Sequence, residues 1–366
     1  MTSKIEPRKV LQKIKPYSPG KPIWELQKEL GLDHVIKLAS NENPFGPSPK
    51  GIAAITSELE ELHRYPDADT VDLKTAIANK LEVGTNQVIV SNGADELITL
   101  ISSAYLEEGD EVIVPYPSFS EYDFGADLMG AEIVPVTFDE GFQFNVQKLL
   151  EAITEKTKLL YICSPNNPTG TYMPKDQFEQ LVDAVPEHVL VILDGAYTHY
   201  ATAEDYIDGL DYVKKGKNVL VMQTFSKVYG LAGLRVGFGV APDEIVQTIL
   251  KVKEPFNVNS LAQVAAAAAL NDEEHVLNSR KKNSEGANML YQAFRELNLE
   301  YTETQSNFIL VKLGPDAEKI YNELLHQGVI VRYGKIWGLP EHVRVTIGTE
   351  EENEYFIQQL KDILSK

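Results

Sequence analysis

The sequence predicts an α/β fold in which a mostly parallel central sheet is covered by helices on both faces. Seven short apolar runs recur between about residues 87 and 240, and longer amphipathic segments separate them. Runs without polar alternation are typical of strands buried on both faces, and strands alternating with helical patterns imply βαβ units. The predicted strands are Val88–Val90, Val112–Val114, Ile133–Val136, Leu159–Cys163, Val189–Leu193, Val219–Met222 and Val236–Val240.

The pattern changes from about residue 270, which predicts a second, smaller α+β domain. This part opens with a long charged helical pattern and ends with a second helix over Glu350–Leu364. Between the two helices, Phe308–Val311 and Val329–Arg332 are predicted strands. We therefore expect a large domain over residues 41–265 and a small domain over residues 266–366.

Composition limits the possible partners and location. A chain of 366 residues is long enough for two domains, and a formal net charge of −20 argues against nucleic acid or an anionic membrane as partner. The single cysteine, Cys163, suits a reducing compartment. We see neither the apolar core of a signal peptide nor an apolar stretch of the ~20 residues that span a bilayer. We therefore expect a soluble, cytoplasmic protein.

Two kinds of site are not expected. The seven histidines show no paired helical spacing and no Cys/His spacing, so we predict no metal site. No Gly-x-Gly-x-x-Gly motif opens a helix, and Gly237–Gly239 leads instead into Val240–Pro242, so a Rossmann dinucleotide site is not supported either.

A cluster of Ser, Lys and Arg follows the strand predicted at Val219–Met222. Ser226 precedes Lys227, and Arg235 follows eight residues after the lysine in a glycine-rich loop. A lysine at a strand end can form a Schiff base with an aldehyde, because burial and nearby cations lower its pKa. A hydroxyl and a guanidinium suit a phosphate. The cluster therefore fits pyridoxal phosphate (PLP), although alone it leaves open a surface lysine and a structural arginine.

Two further motifs lie at the ends of the preceding strands. In Ser164–Gly170, two prolines and a glycine fix a turn and hold an asparagine rigidly. Asp194 ends an apolar strand, where a carboxylate is costly unless paired. A pyridinium N–H would pair with it and keep the ring protonated. Taken singly, these could be a common turn and a helix cap. All three motifs, however, follow successive strands at the edge where α/β sheets bind ligands, which favours a PLP site.

With these motifs, the chain resembles the fold-type I PLP-dependent aminotransferases, and within them the histidinol-phosphate aminotransferase branch. The resemblance runs in one consistent order over nearly the whole length. It is carried by Pro16–Tyr17, Leu38–Pro49, Arg64–Asp67, Ser91–Glu96, the three motifs above, Pro255–Asn259 and Val343–Thr349. It implies a fold-type I PLP-transferase, with residues 1–40 forming an N-terminal arm that joins the small domain.

The resemblance assigns residues to the cofactor ring. Lys227 would carry PLP and act as acid and base, and Asp194 would bind the ring nitrogen. Asn167 and Tyr197 would bind the phenolic oxygen. Phe119 would stack on the pyridine, where relatives often have Tyr. Relatives usually have Glu where this chain has Gly195, but that change leaves the ligating residues in place.

The cofactor phosphate would be bound by a helix start and the cluster around Lys227. Gly93–Glu96 reads as a turn into a helix, whose first amides and dipole favour an anion. Ala94 and Asp95 would therefore share the phosphate with Ser226 and Arg235. An ordinary capped helix is the alternative. By the resemblance, Tyr65 would reach the cofactor phosphate of a neighbouring subunit, which implies a homodimer with shared active sites.

The same resemblance assigns the substrate contacts. Arg344 matches the arginine that clamps a substrate carboxylate in the wider family, and in the histidinol-phosphate branch a phosphate takes that place. Tyr17, Asn43 and Arg332 resemble accessory contacts, and for Arg332 an exposed strand-end charge is the alternative.

The implied reaction is a ping-pong transamination between L-histidinol phosphate and 2-oxoglutarate that gives imidazole acetol phosphate and L-glutamate, in histidine biosynthesis. An aromatic amino-acid aminotransferase and a PLP-dependent phosphoamino-acid decarboxylase remain open. A PLP-binding transcription regulator is a further alternative, but it normally needs an appended basic DNA-binding domain, for which this acidic chain has no room.

Overall fold

The computed structural model describes residues 5–12, 14 and 20–365. The strands are β1 Ile36–Lys37, β2 Val88–Ser91, β3 Glu111–Tyr116, β4 Glu132–Thr137, β5 Thr157–Cys163, β6 Leu190–Asp194, β7 Val219–Thr224, β8 Gly237–Val240, β9 Glu300–Tyr301, β10 Phe308–Lys312, β11 Val329–Ile330, β12 Arg332–Tyr333 and β13 His342–Thr346. The helices are α1 Ile23–Leu30, α2 Pro49–Glu58, α3 Val71–Leu81, α4 Ala94–Tyr105, α5 Glu121–Met129, α6 Val146–Glu151, α7 Lys175–Ala184, α8 Leu210–Lys214, α9 Asp243–Leu250, α10 Ser260–Ala269, α11 Glu273–Glu296, α12 Ala317–His326 and α13 Glu350–Leu364.

The seven predicted strands of the large sheet are all present. Their order across the sheet is β2-β8-β7-β6-β5-β3-β4. Pairing is parallel from β7 to β4, whereas β8 runs antiparallel to both of its neighbours. The prediction of a mostly parallel sheet is therefore confirmed.

Helices cover both faces of this sheet. Successive residues of a strand point to opposite faces, and in β5 they enter two different apolar cores. Leu160 and Ile162 pack in one core with α3 and α7 residues, while Leu159 and Tyr161 pack in the other with residues of α4 and α5. Burial on both faces explains why the strand sequences are apolar throughout.

A second, smaller sheet lies in the C-terminal part of the chain. Its order is β12-β13-β10-β9, its pairing is antiparallel, and its core includes residues of α11, α12 and α13. The predicted strand Val329–Arg332 is wrong in one respect, since it divides between two sheets. β11 pairs in parallel with β1, and β12 pairs with β13. Apolar patterning could not reveal this division, because both halves are equally suited to strands.

The segment before residue 41 extends this smaller unit through the β1–β11 pair. The domain boundaries at residues 40 and 265 stay a prediction. Within the described ranges, no helix combines the length and the apolar character needed to cross a membrane.

Candidate active site

The three predicted motifs meet at one edge of the large sheet. In the parallel register, Cys163 of β5 is opposite Asp194 of β6, which is in turn opposite Met222 of β7. A cavity of about 280 Å³ opens at this edge. The predicted site residues that line it are Ala94, Asp95, Phe119, Asn167, Asp194, Tyr197, Ser226, Lys227, Arg235, Arg332 and Arg344.

Lys227 enters the cavity from the loop that follows β7. Its Nζ donates to the backbone oxygen of Ser40 at 3.2 Å and lies 5.6 Å from the centre of the Tyr197 ring. Burial, followed by the charge of Arg344, lowers the pKa of Lys227 to about 8. A substantial fraction of this amine is therefore neutral near pH 8, as attack on an aldehyde requires.

Asp194 is almost completely buried at the end of β6, with 3% of its surface exposed. Its Oδ1 accepts from the backbone amide of Ala196 at 2.9 Å, and its Oδ2 accepts from the Tyr122 hydroxyl at 2.6 Å. Burial raises the pKa of Asp194 to about 6, against the opposing effect of these two donors. Since a carboxylate has about four lone-pair sites, Asp194 can still accept from a further N–H.

The start of α4 and the loop after β7 lie side by side. Arg235 donates from Nη2 to Asp95 Oδ2 at 3.0 Å, and its Nη1 lies 3.4 Å from Ser226 Oγ. Gly93, at the N-cap of α4, has a φ of 84°, and a Cβ there would come within 2.5 Å of Arg235 Nη2. The free amides of the first turn, a hydroxyl and a guanidinium therefore converge as a phosphate site requires. In the described chain the Arg235 charge is paired with Asp95.

The phenol of Tyr197 is held by a residue that the sequence analysis missed. Asn41 donates from Nδ2 to the Tyr197 hydroxyl at 3.0 Å, and its own Oδ1 accepts from Thr346 Oγ1 at 3.0 Å. Asn41 lies within the Leu38–Pro49 motif, which was the available signal, but position alone did not separate it from Asn43.

Arg344 is clamped in the wall of the cavity. Its guanidinium lies over the rings of Phe308 and Trp337, 5.1 and 5.0 Å from their centres. It donates to Asn167 Oδ1 and, at 2.6 Å, to the backbone oxygen of Ala39. These contacts leave the side chain 5% exposed and fix its orientation before any ligand arrives.

Arg332 stands directly opposite Arg344 across the β12–β13 pair, and both line the cavity. Directly opposed side chains of an antiparallel pair lie on the same face of the sheet, so both guanidiniums are directed to one side of it. The pair therefore makes this end of the cavity suited to a multiply charged group.

Two predicted residues are not brought to this cavity, and a third is not among the residues that the structure describes. Asn43 is a correction, because its Nδ2 donates to the Val228 backbone oxygen at 2.8 Å and to Ser279 Oγ at 3.0 Å, which holds the loop after Lys227 instead of lining the cavity. Tyr65 is 84% exposed and stacks on Phe256, with 4.8 Å between ring centres. Tyr17 lies outside the described residues.

The cavity fits PLP in the chemistry of its walls. It places a depressed-pKa lysine, a buried carboxylate, an aromatic side chain at Phe119 and a phosphate site around one space. No group of three or more His, Cys, Asp or Glu residues that could hold a metal ion occurs in the part of the chain that the structure describes.

Comparisons with known proteins agree with this geometry. The family profile "Aminotransferase class I and II" matches residues 33–360. The chain is 48% identical to a histidinol-phosphate aminotransferase of Moorella thermoacetica over 98% of this chain and 93% of the relative. It is 44% identical to histidinol-phosphate aminotransferase 2 of Carboxydothermus hydrogenoformans over 98% and 99%.

Solved structures match the fold over the whole length. The crystal structure of a histidinol-phosphate aminotransferase from Sinorhizobium meliloti, in complex with pyridoxal 5′-phosphate, superposes with a TM-score of 0.91 at 24% identity. The match covers 100% of this chain and 99% of that one. An aspartate aminotransferase mutant of Thermus thermophilus matches with a TM-score of 0.87 at 23% identity, covering 99% of each chain. These likenesses establish the predicted fold-type I architecture.

Proposed function

The chain belongs to the class I and II aminotransferases and, within them, to the histidinol-phosphate aminotransferases, and we propose that it interconverts L-histidinol phosphate and 2-oxoglutarate with imidazole acetol phosphate and L-glutamate. This is an amino-group transfer of histidine biosynthesis. The observation that carries the substrate assignment is the opposed pair Arg332 and Arg344 at the end of the cavity that contains Lys227.

PLP is the cofactor of this family, and when bound it supplies an electron sink for the carbon that bears the amine. Lys227 would hold its aldehyde, and Asp194 its ring nitrogen. Phe119 would pack against the ring, while Asn167 and Tyr197 would bind its phenolic oxygen. The phosphate would be held by Ala94, Asp95, Ser226 and Arg235, with Tyr65 contributed by a second subunit.

The chain's own acid and base is Lys227. Its lowered pKa of about 8 places proton transfer close to neutrality, where general acid–base catalysis is most effective. When its Nζ is free, Lys227 would take the proton from the substrate carbon that bears the amine. Tyr197, 5.6 Å away at its ring centre, bounds the space in which this amine moves.

Recognition of the substrate would depend on charge. A phosphate offers more acceptor oxygens than a carboxylate and makes better use of two cations. Arg344 would hold the terminal anion of every substrate, including the dicarboxylic acids of the second half-reaction. Arg332 would add its contact when that anion is a phosphate.

We further propose that the active unit is a homodimer. Tyr65 and Phe256 form an exposed aromatic pair, and Tyr65 does not line the cavity of its own chain. A contribution from Tyr65 therefore requires a second copy.

We also propose a cytoplasmic location, because the single cysteine, Cys163, is buried and free, as suits a reducing compartment.

Half-transamination tests the substrate. The PLP-loaded protein should be mixed in turn with histidinol phosphate, phenylalanine and glutamate, and loss of the cofactor's visible absorbance followed for each. We expect histidinol phosphate and glutamate to react and phenylalanine to react more slowly. Faster reaction with phenylalanine would assign an aromatic aminotransferase instead, and release of CO₂ from a phosphoamino acid without amino transfer would assign a decarboxylase.

A further inference from the structure

A buried tyrosine on α5 contacts the carboxylate that faces the cofactor ring. Tyr122 is 1% exposed, and its hydroxyl donates to Asp194 Oδ2 at 2.6 Å. Burial raises the pKa of Tyr122, so the hydroxyl keeps its proton and remains a donor. Hydrogen bonds to a charged acceptor are short and about twice as strong as neutral ones.

The ring of Tyr122 packs against two other aromatic rings. It stacks on Tyr161 of β5, with 4.3 Å between centres and 16° between planes. The ring of Phe119 lies 5.7 Å away between centres, at 84° to the plane of the Tyr122 ring. Tyr122 therefore touches both the carboxylate and the aromatic side chain that line one cavity, although it does not line the cavity itself.

We propose that Tyr122 is a positioning residue that holds Asp194 ionised and aimed at the cofactor ring nitrogen, while its ring supports Phe119 from behind. This inference rests on the proposed function only in taking PLP as the ligand. Asp194 at the edge of the pyridine ring and Phe119 on its face would then both be held in place by Tyr122 of α5.

Other groups act on Asp194 as well, and they must be separated from Tyr122. Ala196 donates a backbone amide to its other oxygen. The remaining titratable groups that influence it or are influenced by it are Asp95 of α4, Tyr161 and Cys163 of β5, Tyr197 and Tyr206 of the segment after β6, and Lys227 after β7. Among the hydrogen bonds of the described residues, only that from Tyr122 brings a side-chain donor to the Asp194 carboxylate.

The test is PLP affinity of the apoprotein as a function of pH, measured by quenching of intrinsic fluorescence, for wild type and Tyr122→Phe. Affinity should fall on the acid side as Asp194 takes up a proton. Without the hydroxyl, the ionised form loses its donor, so the acid midpoint should rise by about one pH unit. Affinity should then drop about tenfold at pH ~5 and only about twofold at pH 7. Protonation of Lys227 at its pKa of about 8 also lowers the affinity, and that step should lie at the same pH in both proteins.

Tyr161→Phe is the matched control, because it removes a hydroxyl from the neighbouring stacked ring that is not hydrogen-bonded to Asp194. Its acid midpoint should equal that of the wild type. Equal midpoints for Tyr122→Phe and wild type would overturn the proposal, as would equal shifts in both variants.

Two further measurements guard against a folding defect. Tyr122→His keeps a ring donor, so its acid midpoint should lie between those of Tyr122→Phe and the wild type. Tyr122→Phe in an Asp194→Asn background should cause no additional loss of PLP affinity, and a loss as large as in the wild-type background would contradict the proposal. No amino substrate is present in any of these titrations, so a wrong substrate assignment would leave their outcome unchanged.

Discussion

Replacing Asp194 by Asn should make the apoprotein more stable and lower its affinity for the cofactor. Asp194 is 3% exposed, and burial raises its pKa from 3.8 to about 6. The Asp194 carboxyl group therefore binds its proton more tightly in the folded state than in the unfolded chain. By linkage, ionising Asp194 lowers the free energy of unfolding. This loss is small below pH ~4, grows between pH ~4 and ~6, and is constant above pH ~6.

The size of the effect follows from the two pKa values. The difference between 3.8 and about 6 corresponds to about 3 kcal/mol above pH ~6. Asn avoids this cost, and its Oδ1 can still accept from the Ala196 amide while its amide group donates to the Tyr122 oxygen. We expect Asp194→Asn to raise the apoprotein's free energy of unfolding by about 2–3 kcal/mol at pH 8, and by about 0.5 kcal/mol at pH 4.

Urea unfolding of the apoprotein between pH 4 and pH 8, at one protein concentration, measures this difference. The same titration with PLP present should show the opposite ranking, because the variant lacks the ionised partner of the ring nitrogen. A gain in the apoprotein that does not change with pH would refute the reasoning, since it would not come from ionisation. A destabilised apoprotein at pH 8 would show that Asp194 is not a strained, buried charge.

Three other predictions concern the roles assigned above. Borohydride should bleach the yellow protein and leave the pyridoxyl label on the Lys227 peptide, as read by mass spectrometry, and a label on another lysine would displace the site. Mixing inactive Lys227→Ala and Tyr65→Ala chains should restore part of the activity through hybrid dimers, whereas a fully active monomer on sedimentation would exclude shared sites. Arg344→Ala should slow both half-reactions about 100-fold, while Arg332→Ala should slow histidinol phosphate more than glutamate, and equal losses would mean that Arg332 does not read the phosphate.

The large sheet and the position of the site could be predicted because their signals are local. Strands buried on both faces must be apolar throughout, and polar residues such as Asp194 and Lys227 stand out where such runs end. Since the carboxyl ends of parallel strands meet at one edge, order along the chain was enough to place these residues together.

The supporting residues were not accessible in the same way. Tyr122 is three residues from Phe119 in the sequence, but whether it turns towards Asp194 depends on how α5 packs over β5. The choice between Asn41 and Asn43 depends on side-chain direction within one irregular segment, where φ of Asn41 is 55°. Neither fact has a periodic signal, because both arise from tertiary packing.

The two opposed arginines belong to the smaller sheet, whereas the lysine and the carboxylate that would meet the cofactor end strands of the larger one. The distance between the reacting carbon and the terminal anion of a substrate is therefore set by how two separate sheets are placed. Changes in the smaller sheet can alter which chain lengths are accepted while every cofactor contact stays intact. Substrate preference can therefore change during evolution while the residues that would contact the cofactor stay the same.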